Sequence, residues 1–183
     1  MKTIIFIAIS VLFSSPVYSN PSLKNSVWSS AASYAGINVA LLYSIAVHES
    51  GMRWRDGTFR PWPWTLNVNE GKHGIKPGAR RYANKQAAEQ ALLHLIRLGI
   101  RNVDVGIMQV NLYWHGDKVA NDTQLLDPKT NITVAAGYLK DLNTKNNVSK
   151  TVADYHAPSN SARGKAYVKH VKHYEKIINE KLQ

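Results

Sequence analysis

The chain has 183 residues, 23 Lys+Arg against 12 Asp+Glu for a formal charge of +11, seven His, no Cys, and 44% hydrophobic residues. This is one domain's worth of chain, too apolar for a disordered polymer, and it lacks the thiols that disulfide scaffolds, zinc fingers, cysteine nucleophiles and iron–sulfur sites require. The positive excess asks for an anionic partner, which leaves nucleic acid, a lipid surface or an acidic wall polymer.

Met1-Lys2 supplies a positive start, residues 3–13 (TIIFIAISVLF) an apolar stretch too short to span a bilayer, and Val17-Tyr18-Ser19 a cleavage site before Asn20. Residues 1–19 therefore read as a secretory signal peptide, with a single domain over 20–183. Export to the periplasm turns the charge away from nucleic acid and towards an extracytoplasmic polymer.

Asn20-Pro21 places a cap and a first-turn proline before a helix with Leu23, Val27, Ala31 and Tyr34 on one stripe, stopped by Gly36. Asn38 caps VALLYSIAVHES, an almost wholly apolar run that ends at Gly51 and predicts a buried central helix. Residues 52–82, rich in Gly, Pro and Trp, predict a loop with a short hairpin. Asn84 caps a helix through Ala88, Leu92 and Ile96, closed by Gly99. Asp127-Pro128 starts another through Ile132, Ala135 and Leu139. Ser149 caps a short helix through Val152 and Tyr155, and a last helix runs from about Ala162 towards Leu182. The sum is a mainly α domain.

Of the twelve acids, Glu49 alone closes an apolar helix (Leu41, Leu42, Ile45, Ala46, Val47). Lost hydration there disfavours the carboxylate and suits a general acid. A Glu that frays out at the helix terminus satisfies the pattern equally well. His48-Glu49 has no second His four positions on, so a zinc-protease face is missing, and no metal or cofactor is expected.

AVHESGMRW (46–54), DVGIMQVN (104–111), LLDPKTNITVAAGYL (125–139) and VADYHAP (152–158) resemble, in order and character, the soluble lytic transglycosylase domain, over roughly residues 38–174. The resemblance implies a lysozyme-like helical fold and cleavage of peptidoglycan between N-acetylmuramic acid and N-acetylglucosamine. Glu49 matches the catalytic acid, which next acts as base while the substrate's own N-acetyl group assists and a 1,6-anhydro ring closes. Ser50, Gly106, Met108, Gln109, Asn111, Tyr155 and His156 occupy the substrate-binding positions, with Tyr155 placed to orient its hydroxyl near the glutamate. Ser50 also reads as a helix stop, Gly106 as a plain turn and Met108 as core packing. His156 and Pro158 depart from the commoner Asn and Gly.

Asp104 reads as structural. If it faces Glu49 across a cleft, a hydrolytic muramidase is the alternative, and a non-catalytic wall-binding assembly module is a third. RPWPWTLNV (60–68), with the Tyr-His pair, is most similar to the branch that accompanies conjugative elements and type IV secretion, whose apparatus is then the expected partner beside the glycan strands. Trp54, Trp62 and Trp64 either stack on sugars or pack their loop down. The basic last helix (Arg163, Lys165, Lys169, Lys172, Lys176, Lys181) reads as a solvated face that also favours an anionic wall.

Overall fold

A computed structural model describes residues 23, 25–143 and 147–182; the expected signal peptide and the Asn20-Pro21 start lie outside the described residues. Helix α1 spans Val27–Ala35 and is capped by Ser26, whose hydroxyl accepts the Ser29 N–H while the Ser29 hydroxyl accepts the Ser26 N–H. This reciprocal pair starts the helix after Leu23, which is buried but precedes it. The expected stripe is also rotated: Trp28, Ala31, Ala32 and Ala35 face the core, whereas Tyr34 is 55% exposed with the Lys140 ammonium 4.0 Å over its ring. Gly36, in the left-handed region, ends the helix.

Helix α2, Val39–Ser50, is capped by the Asn38 side chain and buries residues on every face, as an all-apolar run must. Around it pack α1, the final helix α7 (Ser161–Leu182) and the hairpin of β1 (Gly51–Arg53) with β2 (Phe59–Pro61). A second, four-stranded antiparallel sheet has the order β4 (Gly78–Arg81), β3 (Thr65–Val68), β5 (Val103–Val105), β6 (Val110–Asn111). In its central pair Leu66 sits opposite Val105 and Asn67 opposite Asp104.

The strands β5 and β6 occupy the two ends of DVGIMQVN, β5 beginning one residue before it, and exceed the short hairpin expected for the Trp-rich segment alone. Residues 103–105 alternate buried, half-buried, buried, which is the period of a strand. The Trp-rich segment packs down: Trp54, Trp62 and Trp64 meet edge-on in series at 4.9 Å, and Trp62 Nε1 donates to the Tyr82 carbonyl at 2.8 Å.

Helix α3 (Lys85–Arg97) starts at the Asn84 cap and stops before Gly99, whose φ is 72°. The single turn α4 (Leu112–His115) and two 3-10 turns lead into α5 (Pro128–Leu142), capped by Asp127. Helix α6 (Val148–His156) is capped by Asn147 rather than Ser149: the Asn147 carbonyl oxygen accepts the Lys150 N–H at 3.0 Å, leaving Ser149 inside the first turn. Helix α7 turns Tyr167, Val171 and Ile178 inward at i, i+4 and i+11. Among the described residues no single helix is long and apolar enough to cross a membrane.

Candidate active site

A cavity of about 680 Å³ lies between the four-stranded sheet and helices α5–α7. Glu49 enters its wall from the end of α2, Asp104, Gln109 and Asn111 from the sheet, and Tyr155 and His156 from the end of α6. At the end of the buried helix α2 the Glu49 side chain is only 13% exposed.

Burial pushes the Glu49 carboxyl from 4.5 up to about 8; a hydrogen bond from Tyr167 pulls against that rise and the charge of Asp104 adds to it. The Tyr167 hydroxyl donates to Glu49 Oε1 at 2.5 Å. Its own acidity is strongly suppressed, first by burial and then by the adjacent Glu49, so it remains a donor. At neutral pH Glu49 is thus mostly protonated and open to the cavity, the condition of a general acid.

Tyr167 was absent from the residues expected at the site. It continues the apolar stripe of α7, and that stripe marks it as core. Only the contact between α2 and α7 brings it to Glu49, 118 positions away. Tyr155, whose hydroxyl is expected near the glutamate, lines the cavity and donates that hydroxyl to the Met108 carbonyl at 2.8 Å.

The His156 ring lies flat on Tyr167, with centroids 4.4 Å apart and planes 2° from parallel, and its Nδ1 is 4.0 Å from Glu49 Oε1. Burial, and then the Arg163 charge, lower its basicity against a smaller opposing pull from Asp104. His48 meets Tyr167 edge-on, with centroids 4.8 Å apart, and is pushed down to about 4 by burial and by His170 and His156. The acid is therefore flanked by neutral imidazoles, which leave its proton in place.

Asp104 is both structural and cleft-facing. Its Oδ2 accepts from the Asn67 and Asn69 side-chain amides at 2.9 and 3.0 Å, and Oδ1 accepts from Asn111 at 2.7 Å. It also lines the same cavity as Glu49 from the opposite, sheet side. Asn111 is committed elsewhere as well: its carbonyl oxygen caps α4 by accepting the Tyr113 and Trp114 N–H groups.

Three of the expected contact residues do not line the cavity. Ser50 is 0% exposed and its hydroxyl donates to the Ile107 carbonyl at 2.7 Å, so it ties α2 to the sheet loop. Met108 is 0% exposed, and its N–H donates to Asn131 Oδ1 at 2.8 Å. Gly106 has φ 84°, and a Cβ there would lie 2.5 Å from the Leu125 carbonyl oxygen, so its glycine serves a close chain crossing. Asn131, fully buried, completes the arrangement by donating to Val105 and Leu125 carbonyls at 2.8 Å each.

Gln109 keeps a cleft-facing place. Its backbone is left-handed (φ 50°), and its Nε2 donates to the Gly106 carbonyl at 2.8 Å, so the side chain helps hold the turn that displays it. Glu49, Gln109, Asn111, Tyr155 and His156 are thus brought together on one cavity, while Ser50, Gly106 and Met108 form its support.

A family model, the transglycosylase SLT domain, matches residues 76–177, more than half of the chain. The matched stretch contains Asp104, Gln109, Tyr155, His156 and Tyr167; Glu49 precedes it and joins them through the packing of α2 on α7. No curated protein and no solved structure matches the chain. With this match on the helical frame and cleft described above, the chain belongs to the transglycosylase SLT domain family.

Proposed function

We propose that the protein is a peptidoglycan lytic transglycosylase in which Glu49 serves as acid and then as base. The Glu49 proton passes to the glycosidic oxygen, the bond from that oxygen to the muramyl C1 breaks, and the N-acetyl oxygen of the same sugar shields C1. The Glu49 carboxylate then takes the proton of the muramyl C6 hydroxyl as its oxygen bonds to C1, closing the 1,6-anhydro ring and restoring the acid. One carboxyl suffices because the substrate supplies its own assisting group. The observation that carries this reading is Glu49, near-buried and hydrogen-bonded by Tyr167 on the cavity wall, where burial raises its pKa.

The placement of Asp104 supports a second reading, hydrolysis. Three side-chain amides hold its two oxygens in place, and it borders the cavity that Glu49 borders. In that reading water bonds to C1 and gives its proton to the Asp104 carboxylate.

Digestion of isolated sacculi followed by mass spectrometry decides between them, since an anhydro end is one water lighter than a reducing end. Anhydro products from the wild type and none from Glu49→Gln are expected. Soluble product from both proteins, or from neither, refutes the catalytic reading and leaves a wall-binding module. Reducing ends that vanish in Asp104→Asn establish hydrolysis.

The same proposal places the protein outside the cytoplasm, in the periplasm, after removal of residues 1–19, with residues 20–183 as one domain. The RPWPWTLNV segment supports local opening of the wall for a conjugation or type IV secretion apparatus. The lysines of α7, exposed at Lys165, Lys169 and Lys172, support long-range attraction to the anionic wall.

A further inference from the structure

The five tryptophans fall into two groups. Trp28 is 8% exposed and meets Tyr43 edge-on at 5.0 Å. Trp54, Trp62 and Trp64 pack on one another; Trp54 Nε1 donates to the Arg60 carbonyl at 3.3 Å, and the Arg60 guanidinium lies 3.9 Å over the Trp54 ring. Trp114 stands apart. It is 70% exposed, the most exposed large hydrophobic side chain among the described residues, and its Nε1 makes no hydrogen bond to any described residue. It also lines the cavity that contains Glu49.

A large indole left in water at a cleft rim marks a contact surface, and this one is held in place. The Asn111 side-chain oxygen accepts the Trp114 backbone N–H at 3.3 Å, while the Asn111 side-chain NH2 donates to Asp104 at 2.7 Å and to Asn102 at 2.9 Å. On the other side in sequence, His115 packs on Tyr138 with centroids 4.6 Å apart. The ring neighbour of Trp114 is Tyr113, 4.8 Å away at 89°, a T-shaped pair that covers at most one face of either ring. The backbone that presents the indole is thus fixed on the wall of the cleft.

We propose that Trp114 forms a sugar-stacking subsite of this cleft, taking the apolar face of an N-acetylhexosamine ring of the glycan. A β-linked sugar of glucose configuration carries its hydroxyls at the equator, so its axial C–H groups line the ring faces with partial positive charge. An indole face is electron-rich and flat and accepts that surface. A nucleobase would also stack, but its phosphodiester needs cationic partners, and the lining offers one arginine, Arg163, beside the acids Glu49 and Asp104, which favours an uncharged sugar ring. The inference rests on the glycan reading of Glu49 and adds to it where a neighbouring ring of the strand is gripped.

The test compares wild type, Trp114→Ala and Trp114→Phe on solubilised glycan strands, with Glu49→Gln as the background for binding. We expect Trp114→Ala to raise KM about tenfold, ~1.4 kcal/mol in binding, with kcat within about twofold and the melting temperature unchanged, and Trp114→Phe to recover most of the loss. In the Glu49→Gln background, a chitin tetrasaccharide should quench tryptophan fluorescence, and Trp114→Ala should remove most of the quench. An active Trp114→Ala enzyme with unchanged KM overturns the subsite alone. A fall in kcat and melting temperature together shows a structural role and overturns it too, as does preferential retention of a single-stranded oligonucleotide over the tetrasaccharide. A wild type that releases nothing from sacculi overturns the glycan reading itself.

Discussion

Glu49→Gln should stabilise the protein, and by an amount that depends on pH. The folded carboxyl titrates near 8 against 4.5 for an ordinary glutamic acid, chiefly because burial removes its water. Below 4.5 both states hold the proton and the group contributes nothing to pH dependence. Between 4.5 and 8 the unfolded chain has released a proton that the folded chain retains, so stability falls as pH rises, by about 1.4 kcal/mol per pH unit. At pH 7 the accumulated cost is about 3 kcal/mol, a large share of the ~5–15 kcal/mol that holds a typical domain together. Glutamine does not titrate, and its carbonyl oxygen still accepts the Tyr167 hydroxyl. Urea unfolding of both proteins at pH 5, 6, 7 and 8 isolates the term, because every other titrating group cancels in the difference. With an m-value of about 2 kcal/mol/M, the midpoint of the variant should lie ~1.5 M above wild type at pH 7, with little separation at pH 5. A separation that stays constant from pH 5 to 8 would mean that Glu49 titrates as a solvated acid, and the general-acid argument would fail with it.

His156, lowered below its ordinary 6.5, becomes a cation on the acid side of that value, 4.0 Å from Glu49 Oε1, and then favours the carboxylate over the acid. The pH profile of kcat/KM should therefore fall on the acid side below 6.5 and on the basic side near 8, and His156→Asn should move only the acid limb downward; an unmoved acid limb refutes the assignment. Tyr167→Phe removes the hydrogen bond that steadies ionised Glu49, so the basic limb should shift above 8 and kcat should drop about tenfold, the loss of ~1.4 kcal/mol. A pH profile identical to wild type would show that the hydroxyl does not act on Glu49. Asn131→Ala strands the Val105 and Leu125 carbonyls and the Met108 N–H in the core, and should cost about 3–5 kcal/mol in denaturant unfolding. A loss under ~1 kcal/mol would mean that water replaces the amide.

Much of the helical frame was legible because local chemistry decides it. The Asn38, Asn84 and Asp127 caps and the unbroken apolar run of α2 act within a few residues, and each stands where the pattern put it. The misplacements come from ties between equivalent local signals. Asn147 and Ser149 can both cap, and Asn147 does so where Asn143 and Thr151 also join through their side chains. For the first helix the apolar stripe from Leu23 sets no boundary of its own, and the reciprocal Ser26–Ser29 bonds mark the start at Val27. Glu49 was legible because an acid at the end of an apolar helix is locally anomalous. Tyr167 was not, since a tyrosine on a buried stripe looks the same whether its hydroxyl meets a carbonyl or a carboxyl. Trp114 escaped notice for the opposite reason: burial separates it from Trp54, Trp62 and Trp64, and residue type alone does not report burial.

The motif residues that turned out to be buried explain why such a pattern holds together across the chain. The Ser50 hydroxyl reaches the Ile107 carbonyl, the Asn131 amide takes the Met108 N–H and the Val105 carbonyl, and the Tyr155 hydroxyl reaches the Met108 carbonyl. Three segments distant in sequence therefore all spend their polar groups on residues 105–108, a turn whose Gly106 has room only for hydrogen at its crossing with Leu125. On either side of that turn stand Asp104 and Gln109, and Ser50 is covalently next to Glu49. Fixing the turn fixes the sheet wall of the cleft against the acid on α2, so buried residues outside the cavity lining set the separation of its walls. It follows that loosening any one of these bonds should disturb catalysis through the separation of the two walls, before it removes any group that performs chemistry.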